Sequence, residues 1–278
     1  MNFKCFKLAV FDLDGTLVEY GSDLITPAIR ETINTLHENN TLTTIATGRS
    51  WKQTRTLVEE LKIRIPVIVQ TGAIIIDPLT GKVLKSQPLR AALERKLHGI
   101  IDISQVDQFC LLETGTFFAT RLSTSGGKWV FNNEDCRLAA MDQGQQSVIK
   151  HLFIGSEAVI RPLAKLAEEL KPTPNTILWP PDLKTDDWFL EVFDPLASKG
   201  RALSWLAEYL GLALKEIIAF GDGYNDLDLL QTAGYGVAMH GAPQELIEQA
   251  DLVIPGAAEE GIARLFRGEP VGVKTKAS

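Results

Sequence analysis

Six short apolar runs constrain the fold of this chain more than any other feature. They are LAVF (8–11), TTIA (43–46), PVIV (66–69), IIAF (217–220), YGVAM (235–239) and LVI (252–254). Most are rich in β-branched residues, and none alternates apolar with polar. A strand made from such a run is buried on both faces, as in a parallel sheet covered by helices. Helical patterns lie between the runs. Thr26 followed by Pro27 predicts a capped helix to about Asn39. Ser50 and Gln53 form an S-x-x-Q capping box before a helix to about Lys62. Ser198 precedes Leu203, Leu206, Ala207 and Leu210 at helical spacing, and a further helix follows Asn225 and stops at Gly234 as its C′ residue. Strand and helix alternate, which predicts an α/β fold with a mostly parallel, Rossmann-like sheet.

The middle of the chain reads differently. FCLLE, TFFATRL, KWVFN, HLFIG, TILWP and WFLEV are shorter and alternate more, and residues 155–170 read as a helix after a strand. This predicts an α+β unit with antiparallel pairs, bounded by DPLTGKVLKSQP and FDPLASKG. The expected organisation is one discontinuous core, 1–85 with 191–278, carrying an inserted domain at 86–190.

Three core strands each lead into a polar cluster. LAVF runs into Asp12-Leu13-Asp14-Gly15-Thr16, TTIA into Thr47-Gly48-Arg49-Ser50, and IIAF into Gly221-Asp222-Gly223-Tyr224-Asn225-Asp226. Ligands bind outside the carboxyl ends of strands in such sheets, so the clusters are expected to converge. Ser198-Lys199-Gly200 at a helix start offers the cation. Asp12, Asp14, Asp222 and Asp226 cannot share an edge without a counter-ion, and hard oxygen ligands without His or Cys call for Mg²⁺, with Mn²⁺ or Co²⁺ as substitutes. Thr47, Lys199 and the helix start after Ser198 supply donors for a phosphate. One carboxylate can be a nucleophile and the second an acid, then a base.

DLDGTL, TGRS, SKG and GDGYND, in that order, resemble the four signature motifs of the haloacid dehalogenase superfamily. The insert resembles the larger α/β cap of its Cof-type branch, largely sugar-phosphate phosphatases. The resemblance implies Asp12 as nucleophile and Asp14 as acid/base. It implies Mg²⁺ held by Asp12, the Asp14 backbone carbonyl and Asp222. Thr47, with Gly48 beside it, and Lys199 would hold the phosphate. Asn225 would touch substrate, and Asp226 would orient either the metal shell or Lys199. Arg49 either reaches the substrate phosphate or pairs with an acid near its helix start. Two positions depart from the family pattern: Gln70-Thr71-Gly72-Ala73 stands for N-G-A, and His240-Gly241-Ala242 for Asn-Ala.

Composition narrows the alternatives. The chain has 278 residues, 45% apolar and 23% charged, with a net charge of −7. That excludes the basic face of a nucleic-acid or anionic-membrane binder. Cys5, Cys110 and Cys136 are few and scattered, without C-x-x-C, as in reduced cytoplasmic proteins. No run has the length of a membrane span or signal peptide. The expected function is a Mg²⁺-dependent phosphatase of small phosphorylated metabolites, sugar phosphates foremost, acting through an aspartyl-phosphate on Asp12, and the expected state is a monomer or weak homodimer. A phosphomutase or phosphotransferase using the same intermediate is the alternative. A receiver-like signalling module leaves Asp14, Lys199 and the insert unexplained. His240 reads as a loop residue; His37, His98 and His151 read as surface or core residues; Trp129, Trp179 and Trp188 read mostly as core.

Overall fold

The computed structural model describes residues 6–101, 104–138, 147–181, 185–271 and 273–274. The chain opens with β1 (Leu8–Phe11), α1 (Pro27–Glu38), β2 (Leu42–Ile45), α2 (Trp51–Glu60), β3 (Val67–Val69), β4 (Ile74–Ile76) and β5 (Val83–Ser86). Its middle holds α3 (Ala91–Ile100), β6 (Asp107–Leu112), β7 (Phe117–Ala119), α4 (Ser125–Asn133), β8 (Cys136–Leu138), β9 (Val148–Gly155), α5 (Glu157–Glu169), β10 (Asn175–Trp179) and β11 (Trp188–Phe193). It closes with α6 (Lys199–Leu210), β12 (Ile217–Gly221), α7 (Leu227–Thr232), β13 (Tyr235–Met239), α8 (Gln244–Gln249), β14 (Leu252–Ile254), α9 (Gly261–Phe266) and β15 (Val273–Lys274). Two units result: Met1–Lys85 with Ser198–Ser278, and Ser86–Ala197.

The first unit is built on a sheet of order β15-β14-β13-β12-β1-β2. Every pair from β14 to β2 is parallel, and only β15 runs antiparallel. The non-alternating runs are buried on both faces. Leu8 and Val10 of β1 and Ala219 of β12 pack with Leu203 and Leu206 of α6 and Leu229 of α7. β3 behaves differently from the other runs. It touches β2 through one parallel bridge, Ala46 to Ile68, and otherwise pairs antiparallel with β4. The cause is the turn at Gln70–Gly72, where all three residues take positive φ and fold the chain back.

The helix starts follow their caps. Thr26 accepts from Ile29 N with Pro27 in the first turn, Ser50 and Gln53 close the reciprocal box, and Ser198 accepts from Arg201 N. Each such cap is worth roughly 0.5–2 kcal/mol. Gly234 does follow the C-cap of α7, Ala233, as its C′ residue, but not in the left-handed conformation usual there. α7 ends at Thr232 with Ala233 extended, and the Gly234 N–H donates to Leu214 O at 2.9 Å. A Cβ there would come within 2.7 Å of Leu214 O, so the glycine serves a close backbone approach.

The second unit carries a sheet of order β10-β11-β9-β6-β7-β8, antiparallel except for β7 with β8. Leu93 and Leu97 of α3 and Ile160 and Leu163 of α5 pack with Phe153, Leu190 and Val192 of the sheet. KWVFN, read from sequence with the strands, lies in helix α4. The Asp107 carboxylate accepts from the N–H groups of Ser123 (2.8 Å) and Thr124 (2.7 Å), and the Thr124 hydroxyl accepts from Gly127 N. That long-range anchor decides a run too short for its periodicity to decide. The expected boundary at 190/191 falls inside β11, which pairs with β9 and β10. Asp194 then turns the chain, accepting from Arg90 N and Leu196 N, so the unit extends to Ala197. Trp179 is exposed, and Trp188 lies under the Arg161 guanidinium at 4.2 Å.

Cys110 is a buried free thiol, Cys136 is half-buried, and Cys5 lies outside the described residues. Among the described residues, no helix is long and apolar enough to cross a membrane.

Candidate active site

β1 lies between β2 and β12, parallel to both, with Phe11 in register with Ile45 and Phe220. The clusters that follow the three strands therefore leave the sheet at one edge. The Asp12 N–H continues the ladder, donating to Phe220 O at 3.0 Å, and the chain then turns at Gly15, whose φ is +84°. A Cβ on Gly15 would come within 2.7 Å of Asp222 Cγ, so this turn needs glycine both for its conformation and for its closeness to the β12 loop.

At the edge lies a buried charge cluster. Lys199, the first residue of α6, is fully buried and donates from Nζ to Asp12 Oδ1 (2.6 Å) and Asp226 Oδ1 (2.5 Å). Asp226 Oδ2 accepts from the N–H groups of Asp222 (3.1 Å) and Gly223 (2.9 Å). Asp226 thus fastens the β12 loop and Lys199 together. Asp222 accepts from Thr16 Oγ1 at 2.8 Å and from the Tyr20 hydroxyl. Gly72, with φ of +89°, seats the β3–β4 turn against the start of α6; a Cβ there would lie 2.7 Å from Lys199 N and overlap Ser198.

Asp12, Asp222 and Asp226 each offer a carboxylate oxygen, all within 4.8 Å of one another. One ammonium cannot neutralise three buried carboxylates. Burial, with Asp226 and Asp222 nearby, outweighs Lys199 and pushes Asp12 well above the usual carboxylate range. Burial and Asp226 likewise raise Asp222, against its hydrogen bonds from Tyr20 and Thr16. Lys199 shifts up too, because Asp12 and Asp226 outweigh the cost of burying the ammonium. Oxygen ligands crowded in this way fit a hard divalent cation. Asp226 is already paired with Lys199 and two backbone N–H groups, whereas Asp222 accepts only from the neutral hydroxyls of Thr16 and Tyr20, which leaves Asp12 and Asp222 as the carboxylates a cation would relieve.

Asp14 stands apart from that cluster. Arg49 grips it with two hydrogen bonds, Nε to Oδ2 (2.8 Å) and Nη2 to Oδ1 (2.6 Å). The guanidinium is itself held by Asp23 and by Ser22 O. Of the two readings of Arg49, the structure displays the ion pair with an acid.

Thr47 is buried, its N–H donates to Ile68 O, and its hydroxyl accepts from Arg49 N at 3.1 Å. A Cβ on Gly48 would meet Thr71 Oγ1 at 3.4 Å and Asn225 Nδ2 at 3.9 Å, so the loops after β2, β3 and β12 converge there. Thr71 Oγ1 and Gln70 Oε1 are buried and have no hydrogen-bond partner among the described residues. In the sequence Gln70 and Thr71 stand out only as departures from the family pattern, and Thr16 only as the last residue of its polar cluster. Tyr20 and Asp23 carry no motif signal, because their roles depend on where the loop after β1 lands. His240 is exposed, and its N–H donates to Ile254 O.

The family model for haloacid dehalogenase-like hydrolases matches residues 9–266. A Bacillus subtilis protein named 5-amino-6-(5-phospho-D-ribitylamino)uracil phosphatase YwtE is 27% identical over 92% of this chain and 96% of its own. An HMP-PP phosphatase of Citrobacter koseri is 28% identical over 87% of each chain. A Haemophilus influenzae relative is 47% identical, but over 78 residues only, 28% of this chain and 30% of that one. Among solved structures, a haloacid dehalogenase-like hydrolase of Bacteroides thetaiotaomicron superposes with a TM-score of 0.77 at 25% identity, covering 95% of this chain and 99% of that one. A subclass IIB sugar phosphatase shares the fold with a TM-score of 0.75 at 20% identity, covering 94% and 98%.

Proposed function

The chain belongs to the haloacid dehalogenase-like hydrolase family and is a phosphatase, and from that premise we propose that it hydrolyses small phosphorylated metabolites with Mg²⁺ through an aspartyl-phosphate on Asp12. The observation that carries the proposal is the buried cluster at the sheet edge, where Lys199 bonds Asp12 at 2.6 Å and Asp222 lies within metal-sharing distance. The whole-length relatives named above are phosphatases of small metabolites, which supports the substrate class.

In the first step an Asp12 carboxylate oxygen attacks phosphorus, and the bond from phosphorus to the substrate oxygen breaks. Asp14 gives a proton to that leaving oxygen, which departs as an alcohol. In the second step Asp14, now a carboxylate, takes a proton from water while the water oxygen attacks the phosphoryl group on Asp12. Inorganic phosphate leaves, Asp12 is restored, and Asp14 holds a proton again. Two-step covalent catalysis and positioned proton transfer each lower the barrier, the latter by roughly 10²–10⁴ in rate.

Lys199 neutralises part of the charge at Asp12, and Asp226 fixes Lys199. Thr47, the backbone at Gly48, Thr71 and Asn225 offer polar groups to the phosphoryl oxygens and the substrate. Arg49 orients Asp14. Proton donation needs one Asp14 oxygen clear of the guanidinium, and an anionic substrate offers Arg49 another partner. Asp12, Asp222 and, by the family resemblance, the Asp14 carbonyl would hold Mg²⁺, which when bound would offset the negative charge of carboxylates and phosphoryl group as they meet. The unit of residues 86–197 is assigned the choice of substrate.

The test is phosphate release from a panel of phosphorylated sugars and nucleotide-precursor phosphates. Release should need Mg²⁺, stop with chelator and proceed without an added acceptor. Release that persists in chelator would overturn the metal role; transfer only to a second substrate would favour a phosphotransferase.

A further inference from the structure

The second unit holds a chemical cluster for which the phosphatase reaction has no use. Glu94 and His98 lie four residues apart on α3, so they share one face of that helix. His151 sits in the middle of β9, opposite Cys110 of β6 and on the same face as Phe153, whose ring packs with Leu93 and Leu97 of α3. The sequence assigned the two histidines to surface or core. The structure instead brings a Glu94 carboxylate oxygen and one ring nitrogen from each of His98 and His151 within 4.8 Å of one another.

The cluster is unsatisfied as it stands. His151 is fully buried, and its Nε2 has no hydrogen-bond partner among the described residues; the same holds for His98 Nε2. The Glu94 carboxylate is 3.7 Å from His151 Nε2, beyond hydrogen-bond reach. Leaving two imidazole nitrogens unpaired in an apolar interior is costly. On the other side of the His151 ring, Nδ1 meets Cys110 Sγ at 3.0 Å and the Gln108 amide at 3.1 Å. Burial pushes the Cys110 thiol up, so the sulfur stays protonated and acts there as a neutral partner. With the Gln108 amide turned so that its carbonyl oxygen faces the ring, Nδ1–H donates to that oxygen and the Nε2 lone pair faces Glu94 and His98. Metal-binding histidines commonly have their second nitrogen tied in this way.

We propose that Glu94, His98 and His151 form a metal site for a borderline divalent cation of the zinc class, with water as fourth ligand. Two imidazoles and one carboxylate are a zinc-type donor set, unlike the all-oxygen set at Asp12 and Asp222. The ion would join α3 to β9 and so brace the second unit. The Glu94 side chain, 21% exposed, marks the side from which a cation arrives.

The test uses the full-length protein, stripped of metal and titrated with Zn²⁺ against a chromogenic chelator. Wild type should hold one tightly bound zinc more than His98→Gln and Glu94→Gln. Affinity at that site should fall by more than the roughly 10–100-fold that losing an outer partner costs. Mg²⁺-dependent phosphatase activity of both variants should match wild type, which keeps this result separate from any failure of the catalytic reading. Because a variant can misfold, long-range ¹H–¹⁵N spectra of wild type give a second readout. Zinc should move the Nε2 signals of His98 and His151 and leave their Nδ1 protonation in place. Equal zinc stoichiometry and affinity in all three proteins, or unmoved Nε2 signals, would overturn the site.

Discussion

Burial drives the electrostatics of Asp12. It lies beside Asp222 and Asp226 with a single ammonium for company, and burial with its acidic neighbours raises it well above the usual carboxylate range. The consequence for stability has a definite sign. A carboxylate raised in the folded state binds its proton more tightly there than in the unfolded chain. Its contribution is full below the unfolded pKa and is lost as pH rises through the folded value. Asp222 acts in the same direction. The raised Lys199 loses its contribution only in strongly alkaline solution. In chelator, the cluster's contribution to stability should therefore fall as pH rises, and Mg²⁺ should restore it. The stabilisation by Mg²⁺ in thermal unfolding should grow as pH rises above the unfolded carboxylate value of about 3.9, by roughly 2–4 °C for each kcal/mol. A shift that does not depend on pH would count against a metal bound by Asp12 and Asp222. At this scale the motif residues were legible because Asp12, Thr47, Lys199 and Asp222 each follow a strand or start a helix. Tyr20, Thr71, His98 and His151 were not, because each acquires its partners only when distant segments meet.

Secondary structure was most legible where a local interaction decides it. Thr26 with Pro27, Ser50 with Gln53, and Ser198 name their helix starts in three or four letters, and the two-faced runs name β1, β12, β13 and β14. Legibility ended where tertiary contacts decide. KWVFN became helical because Asp107, sixteen residues upstream of Ser123, anchors the loop before it. β3 left the parallel sheet because of the turn at Gln70–Gly72, and that turn in turn supports the site. Gly72→Ala would force a Cβ into the Ser198 carbonyl at a φ of +89°. The variant should lose about 1–3 kcal/mol in urea unfolding and lose kcat as the start of α6 shifts under Lys199. Wild-type stability and turnover would show that the turn does not position α6.

The chain as a whole divides into a unit that carries the charge cluster and a unit, Ser86–Ala197, with its own sheet and apolar core. The sequence placed the second junction seven residues early, because nothing in WFLEVFDP marks where a strand's pairing ends. If the second unit chooses the substrate, joining Lys85 to Ser198 through a short linker should reduce turnover of phosphorylated metabolites far more than that of a small aryl phosphate. Circular dichroism must first show that the shortened chain is folded. Equal losses would make the insert structural only. If the reaction passes through a phosphoryl group on Asp12, rapid-quench mass spectrometry should catch it there. Asp14→Asn with an activated aryl phosphate keeps the nucleophile and removes the base that the second step needs. One phosphoryl group should accumulate on the peptide of residues 8–17, and none when Asp12→Asn is added. A phosphoryl group on any other residue, or full turnover by the double variant, would contradict it.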